Sequence, residues 1–497
     1  MSDILNKKKS TAQIALGGMA WAFAERICAQ IVTLIVSIIL ARLLGPDEYA
    51  IVGIVFIFVT IANVFVTAGF GSALVQKLNA DNIDFSTTLY FSIGFSTIIY
   101  VILFLAAPYI AAFYEIDLLT PVVRVMSLRI IIASINSVQH AYIERTLQFK
   151  KFFYSTSIGT GVSAIVGIGM AYAGFGVWAL VGQYLSNVIV DTIVLSFTCG
   201  WKPSLVFSWN RMKSLYSYGW KVMLATVLRM FGKQARGLVI SKVATPRDLS
   251  FFNQGEKFPA LFINNIETSI QKVMAPILSR EQENLPRVLD LTRKTMRIST
   301  FTIWPLLIGL AAVSESLIEI LYTEKWIGCV PYLKLICVAY MFYPIGETHV
   351  RAIKALGRSD VSLKTIFLTE SINISMLVIA IFWGVGGIGI VVSWILSSIV
   401  MAVLNGIADY KMIKYKMKDQ FADIFFTGLC CSIMFFVVNS LASINMNLFL
   451  KLLLQVIAGL LIYLISSYLL NHKSLVYVVT IAKNFGRNLK KKSVTEN

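Results

Sequence analysis

Apolar stretches of about 20 residues or more, long enough to cross bilayer hydrocarbon, recur from residue 14 to residue 471 with short polar connections between them. That pattern predicts helices, since barrel strands would show ten-residue segments of alternating polarity. Fourteen spans are expected, at 14–40, 49–75, 85–113, 118–146, 152–173, 177–199, 213–241, 247–279, 288–313, 329–356, 361–383, 387–412, 421–442 and 447–471. An even number puts both termini on one side of the membrane.

Composition agrees: of 497 residues, 57% are hydrophobic and 14% charged, with a mean hydropathy of +0.74. The fold class is an all-α polytopic membrane protein with no soluble domain of useful size. A formal net charge of +18 raises the question of nucleic acid, but the cations collect in alternate loops. Lys7 to Lys9, Arg145 with Lys150 and Lys151, Arg280 to Lys294, Lys411 to Lys418 and the tail from Lys473 fall on one side. The opposite loops hold Asp47, Glu48, Glu115, Asp117 and Glu324. The positive-inside rule makes the basic side and both termini cytoplasmic and removes nucleic acid as a partner. Gly17 and Gly18 weaken any signal-peptide core, so the first span is read as uncleaved. The six cysteines have neither metal-ligand nor disulfide spacing.

The second half repeats features of the first. "ILARLLGPDEYA" (39–50) matches "VISKVATPRDLS" (239–250) at an offset of 200. His140 and Arg145 meet His349 and Lys354 at 209, and "GFGVWAL" (174–180) meets "GIGIVVS" (387–393) at 213. Spans 1–6 and 7–12 therefore read as parallel repeats, with substrate between them near the midplane.

Ionisable residues inside spans cost about 2.5–3.5 kcal/mol each on insertion, so a run of them implies a polar interior. In span 7, Arg229, Lys233 and Arg236 lie within about 60° of one helix face. Span 1 contributes Glu25 and Arg26, and span 2 contributes Asn63. Asn253, Glu256, Lys257, Asn264, Glu267 and Gln271 form a stripe along span 8. Arg129, Asn136 and His140 share a face of span 4, where the histidines 140 and 349 read as polar packing. The expected anion site, for phosphate, is Arg26, Arg229, Lys233 and Arg236, because guanidinium forks match phosphate oxygens. Glu25, Asn63, Asn253, Glu256, Asn264, Glu267 and Gln271 are the expected polar-lining or gating residues of that interior. No phosphate-binding glycine loop, HExxH, acidic metal cluster or large external loop is present in the sequence, so no catalytic residue, metal or cofactor is expected.

Six motifs in order, "LARLLGPDEYAIVGIV", "GFGSALVQK", "AYIERTLQFKKF", "GFGVWALVGQ", "PILSREQEN" and "TEKWIGCVPYL", mark a similarity that runs across about residues 10 to 420. Together they resemble the polysaccharide-exporter (Wzx-type) branch of the multidrug/oligosaccharidyl-lipid/polysaccharide exporter superfamily. The resemblance implies two six-helix lobes in a V with alternating access, at 1–200 and 201–418. It adds two further helices at 419–472 and a basic cytoplasmic tail at 473–497. It implies a flippase moving an undecaprenyl-pyrophosphate-linked oligosaccharide across the bacterial inner membrane for O-antigen, capsule or exopolysaccharide synthesis. Membrane lipid, a glycan polymerase and assembly proteins are the implied partners. Some members couple to sodium through groups on spans 7, 11 and 12. Glu370 and Asn373 match the span 11 part, whereas "KQARGLVISK" (233–242) puts cations where relatives often carry an acid, leaving proton or membrane-potential drive open. The alternatives are a small-molecule or drug exporter of the same superfamily, a membrane-embedded polymerase or glycosyltransferase, and a non-transporting scaffold.

Overall fold

The computed structural model describes residues 28–470 except positions 68, 69, 78 and 445. Glu25, Arg26 and the tail 473–497 lie outside the described residues. The described residues contain helices and no strand, and they divide into two compact units that meet at Ser250 and Phe251.

The first unit holds α1 (Cys28–Leu43), α2 (Pro46–Thr67), α3 (Phe70–Gln76), α4 (Asn82–Tyr114), α5 (Leu119–Met126) and α6 (Leu128–Thr146). It continues with α7 (Phe149–Tyr172), α8 (Val177–Thr198) and α9 (Trp209–Val243). The helix that follows, α10 (Pro246–Arg280), begins there and runs into the second unit. That unit adds α11 (Leu285–Ala312), α12 (Ser314–Tyr322), α13 (Cys329–Met341), α14 (Tyr343–Ala355), α15 (Ser359–Phe382), α16 (Gly386–Ile413), α17 (Met417–Ser440) and α18 (Leu448–Leu469). The described part of each of the fourteen expected stretches falls largely on helix, and α12 is a further short helix in the gap between the expected stretches 288–313 and 329–356.

Among the described residues, eleven helices are long and apolar enough to cross a membrane. α9 and α10, 35 residues each, reach about 52 Å at 1.5 Å per residue, more than the hydrocarbon core requires. Their charge, not their length, sets them apart. Side chains such as Ile102, Leu105, Phe367, Phe382 and Leu460 are exposed, as expected of helices solvated by lipid. α9, expected in the second lobe, packs on α2, α3 and α4 within the first unit.

Two expected spans carry an internal step. At Ser127, between α5 and α6, the Ile130 amide donates to the Ser127 carbonyl three residues back, a local tightening. Between α13 and α14, Pro344 has no N–H for the carbonyl one turn earlier. The repeat is visible in the turns: the α7–α8 turn has Gly174 and Gly176 at φ +80° and +53°, and the α15–α16 turn has Gly384 and Gly386 at +59° and +65°. Both also close with the same backbone bonds, Phe175 N–H to Met170 and Val385 N–H to Ala380. The equivalent glycines are therefore 210 apart rather than 213, and the "GIGIVVS" match was three residues too late.

Charges brace the helix ends. Asp81 and Asp84 form a capping box on α4, the buried Asp84 accepts from Lys77 at 2.7 Å, and Arg211 binds Asp81. The Arg211 guanidinium holds the Asp81 carboxyl below its ordinary range, so this contact persists at neutral pH and is lost on acidification through that lowered value. In the second unit Asp423 of α17 accepts two parallel bonds from Arg293 of α11, at 2.8 and 3.0 Å. It accepts further from Arg297 Nε at 2.9 Å and from the Tyr415 hydroxyl at 2.7 Å.

Asp423→Ala would strand two arginines and is expected to cost about 3–5 kcal/mol, read as a lowered unfolding midpoint in detergent. Asp360→Ala, which breaks an exposed pair with Arg358, is expected to shift the midpoint far less.

Candidate functional site

Both halves of the internal repeat tie a histidine of their fourth span to an aspartate of their sixth. In the first, the Asp191 carboxylate of α8 accepts from Asn136 Nδ2 at 2.8 Å and faces His140 Nε2 of α6 at 3.4 Å. In the second, His349 Nδ1 of α14 meets the Asp409 carboxylate of α16 at 2.8 Å. The geometry is duplicated but the burial is not. His349 and Asp409 are both 0% exposed, whereas His140 and Asp191 are 36% and 16% exposed and line a cavity of about 320 Å³ among α2, α6 and α8. His349 is packed against its acid while His140 borders the cavity, and the acids that face them are not among the residues singled out from the sequence. A lone acid inside an apolar helix, such as Asp191 in "NVIVDTIVL", was the available signal.

On α10, Glu256 accepts from the Tyr340 hydroxyl at 2.7 Å, and Glu267 pairs with Arg351 of α14 at 2.8 Å. Both partners of that pair are buried. Asn253 is half-buried, while Asn264 and Gln271 are exposed. The expected stripe therefore contains two acids already engaged by the second unit and two amides left open. The pair with Arg351 joins α10 to α14, and both helices belong to the second unit beyond Ser250.

On α9, Arg229 and Lys233 are exposed and form no side-chain hydrogen bond or ion pair among the described residues. Arg236 is half-buried. Asn63 sits on α2, which packs against α9, and lines the α2–α6–α8 cavity with its Oδ1 unpartnered. The fourth expected anion ligand, Arg26, and the acid Glu25 fall outside the described residues. Glu370 of α15 is exposed, and Asn373 accepts from Ser397 of α16 at 3.3 Å. No group of three or more His, Cys, Asp or Glu that could hold a metal occurs among the described residues.

A third feature lies between α11, α13 and α17 of the second unit. It is an apolar groove of about 610 Å³ bounded by Trp304, Ile308, Phe421, Phe425 and Phe436, with Lys334 among its lining residues.

Helices with lipid-solvated faces and interiors crossed by ion pairs define a multi-pass membrane protein whose core is partly polar. The chain belongs to a family described as polysaccharide biosynthesis proteins, whose model matches residues 39–331. It is similar to the teichuronic acid biosynthesis protein TuaB of Bacillus subtilis, with 24% identity over 472 residues, covering 91% of this chain and 95% of that one. It is also similar to the lipopolysaccharide biosynthesis protein WzxC of Escherichia coli, 19% identical over 80% of this chain and 81% of that one. Among solved structures, the lipid II flippase MurJ in an inward closed conformation superposes with a TM-score of 0.72 at 16% identity, covering 93% of this chain and all of that one. That likeness is one of fold.

The different burial of the two histidine–aspartate pairs has a measurable consequence. Asp409→Ala leaves His349 without a partner in a dry site and is expected to cost about 1–3 kcal/mol. Asp191→Ala leaves His140 open to the cavity and is expected to cost less. Thermal unfolding of the two purified variants compares them directly, and equal losses would mean that burial does not set the difference.

Proposed function

We propose that the protein is a flippase that carries an undecaprenyl-pyrophosphate-linked oligosaccharide from the cytoplasmic to the periplasmic leaflet of the bacterial inner membrane, for assembly of a surface polysaccharide. Family membership carries this reading, and the polar interior supports it. A hydrophilic glycan cannot cross hydrocarbon unaided, and a transporter built for it needs hydrogen-bonding groups and charges inside its spans. The relatives named for teichuronic acid and lipopolysaccharide biosynthesis, and a fold neighbour named as a lipid II flippase, support the same substrate class.

In this reading the lobes 1–200 and 201–418 alternate access to a central site. Arg229, Lys233 and Arg236, with Arg26, take the pyrophosphate, and the first two are exposed cations without a protein partner among the described residues. Asn63, Asn253, Asn264 and Gln271 bind sugar hydroxyls. Glu25, Glu256 and Glu267 temper the positive charge and exchange partners during the cycle. Glu267 already holds Arg351, the type of contact that can be traded. The prenyl tail stays in lipid, and the groove bounded by Trp304, Phe421 and Phe425 supplies an apolar surface for it. The positive loops place both termini in the cytoplasm. Glu370 and Asn373 stand as the cation-coupling candidates. No step requires bond chemistry, so the protein acts as a transporter and not as an enzyme, working beside a polymerase and assembly proteins.

Arg229→Ala and Lys233→Ala are each expected to abolish glycan export while leaving protein levels normal. Flipping of a labelled lipid-linked oligosaccharide in proteoliposomes tests the reading itself, and normal export by both variants would sink the assignment of the anion site.

A further inference from the structure

The cavity among α2, α6 and α8 contains a cation that no described residue of the first unit neutralises. Arg129 lies within it, its guanidinium carbon 5.9 Å from the Phe56 ring centroid and 6.0 Å from that of Tyr184. Those rings are themselves 5.4 Å apart. The Arg129 Nε is buried without a hydrogen-bond partner, and no carboxylate pairs with this side chain among the described residues. Aromatic faces hold a guanidinium in place without consuming its donors. The nearby Asp191 forms no ion pair with Arg129: Asn136 and His140 both face its Oδ2, and its Oδ1 is buried without a hydrogen-bond partner.

The rest of the lining decides which anion fits. A phosphate accepts at every oxygen and suits a site made of donors. This cavity instead mixes donors with acceptors: the unpartnered Oδ1 of Asn63, the Asp191 carboxylate, the Asn187 amide, and the hydroxyls of Thr67 and Ser137. Sugar hydroxyls both donate and accept, and amides and hydroxyls answer both roles. At about 320 Å³ the cavity is at the small end of ligand sites, roughly 300–1,000 Å³, which gives room for one sugar unit and not for a chain of them. We propose that this cavity is a subsite for a single carboxylate-bearing sugar, with Arg129 binding the carboxylate and Asn63, Asn136 and Asn187 reading the hydroxyls. The inference rests on the flippase reading and narrows it to glycans that contain a uronic acid.

The test uses the full-length protein in detergent, with sodium glucuronate, glucose and inorganic phosphate as probes and ligand-observed NMR as the measurement. Glucuronate is expected to bind saturably, and glucose roughly ten- to a hundredfold more weakly, the scale of one charged hydrogen-bonded contact. Arg129→Gln is expected to remove the preference for glucuronate over glucose. If that variant does not fold, Arg129→Lys keeps the charge but not the fork and is expected to weaken glucuronate while leaving glucose unchanged. Phosphate displacing glucuronate as well as glucuronate displaces itself would overturn the proposal in favour of a headgroup site. So would the absence of saturable glucuronate binding, or binding indifferent to Arg129→Gln. Flipping in proteoliposomes is scored separately: its absence with Arg129-dependent glucuronate binding intact would count against the flippase reading and for the subsite.

Discussion

A charge that cannot reach water must find its partner elsewhere in the fold, and the described units are organised around that constraint. Asp423 gathers Arg293, Arg297 and Tyr415; Glu267 takes Arg351; Asp409 takes His349; Asp84 takes Lys77. In lipid there is no hydrophobic gain in pressing one apolar helix on another, because the alternative neighbour is equally apolar. Packing of small residues and polar contacts then selects which faces meet, and a buried acid with one well-placed cation fixes a register that leucines alone would leave loose. The same rule explains why α9 and α10 stand outside the apolar class: their polar faces are incompatible with lipid and require an interior to face.

Much of this was legible in the chain. Span positions follow from hydrocarbon thickness, a one-dimensional property, and the described part of every expected stretch falls largely on helix. What the sequence hid was three-dimensional. The step at Ser127 has no local signal, because the residue keeps helical dihedrals and only its bonding pattern changes. Pro344 was a visible cue, but prolines also lie within unbroken helices here, at Pro108, Pro259 and Pro305. The glycine turns needed a backbone to separate Gly384 from Gly387 as the equivalent of Gly174.

The candidate site was partly legible in the same sense. Face analysis placed Arg229, Lys233 and Arg236 together, and it placed Arg129, Asn136 and His140 together on another helix. It could not tell which cations had partners. Arg351 and Arg129 look alike in sequence, each a lone arginine in a polar helix face, yet one is held by Glu267 and the other, among the described residues, by two rings. Likewise Glu256 and Glu267 occupy one stripe with Asn264 and Gln271, but burial divides them into engaged acids and open amides. Pairing is a relation between helices far apart in the chain, which periodicity along one helix does not encode.

The two histidine–aspartate pairs show how a duplicated framework can be turned to unequal uses. Where His349 and Asp409 close on each other without access to solvent, the pair can only hold α14 to α16, and any change of partner would require opening a packed interior. Where His140 and Asp191 border a cavity, water or a ligand can compensate either group, so the pair can form and break at modest cost. The second arrangement is the one compatible with a binding surface, and it is the one that carries Arg129, Asn63 and Asn187 alongside. A carbohydrate passing through the protein needs sites that bind weakly enough to release. A polar cavity whose groups are half satisfied by one another before the ligand arrives meets that requirement better than a rigid set of unpaired charges, because each hydrogen bond made to the sugar is offset by one relaxed in the wall.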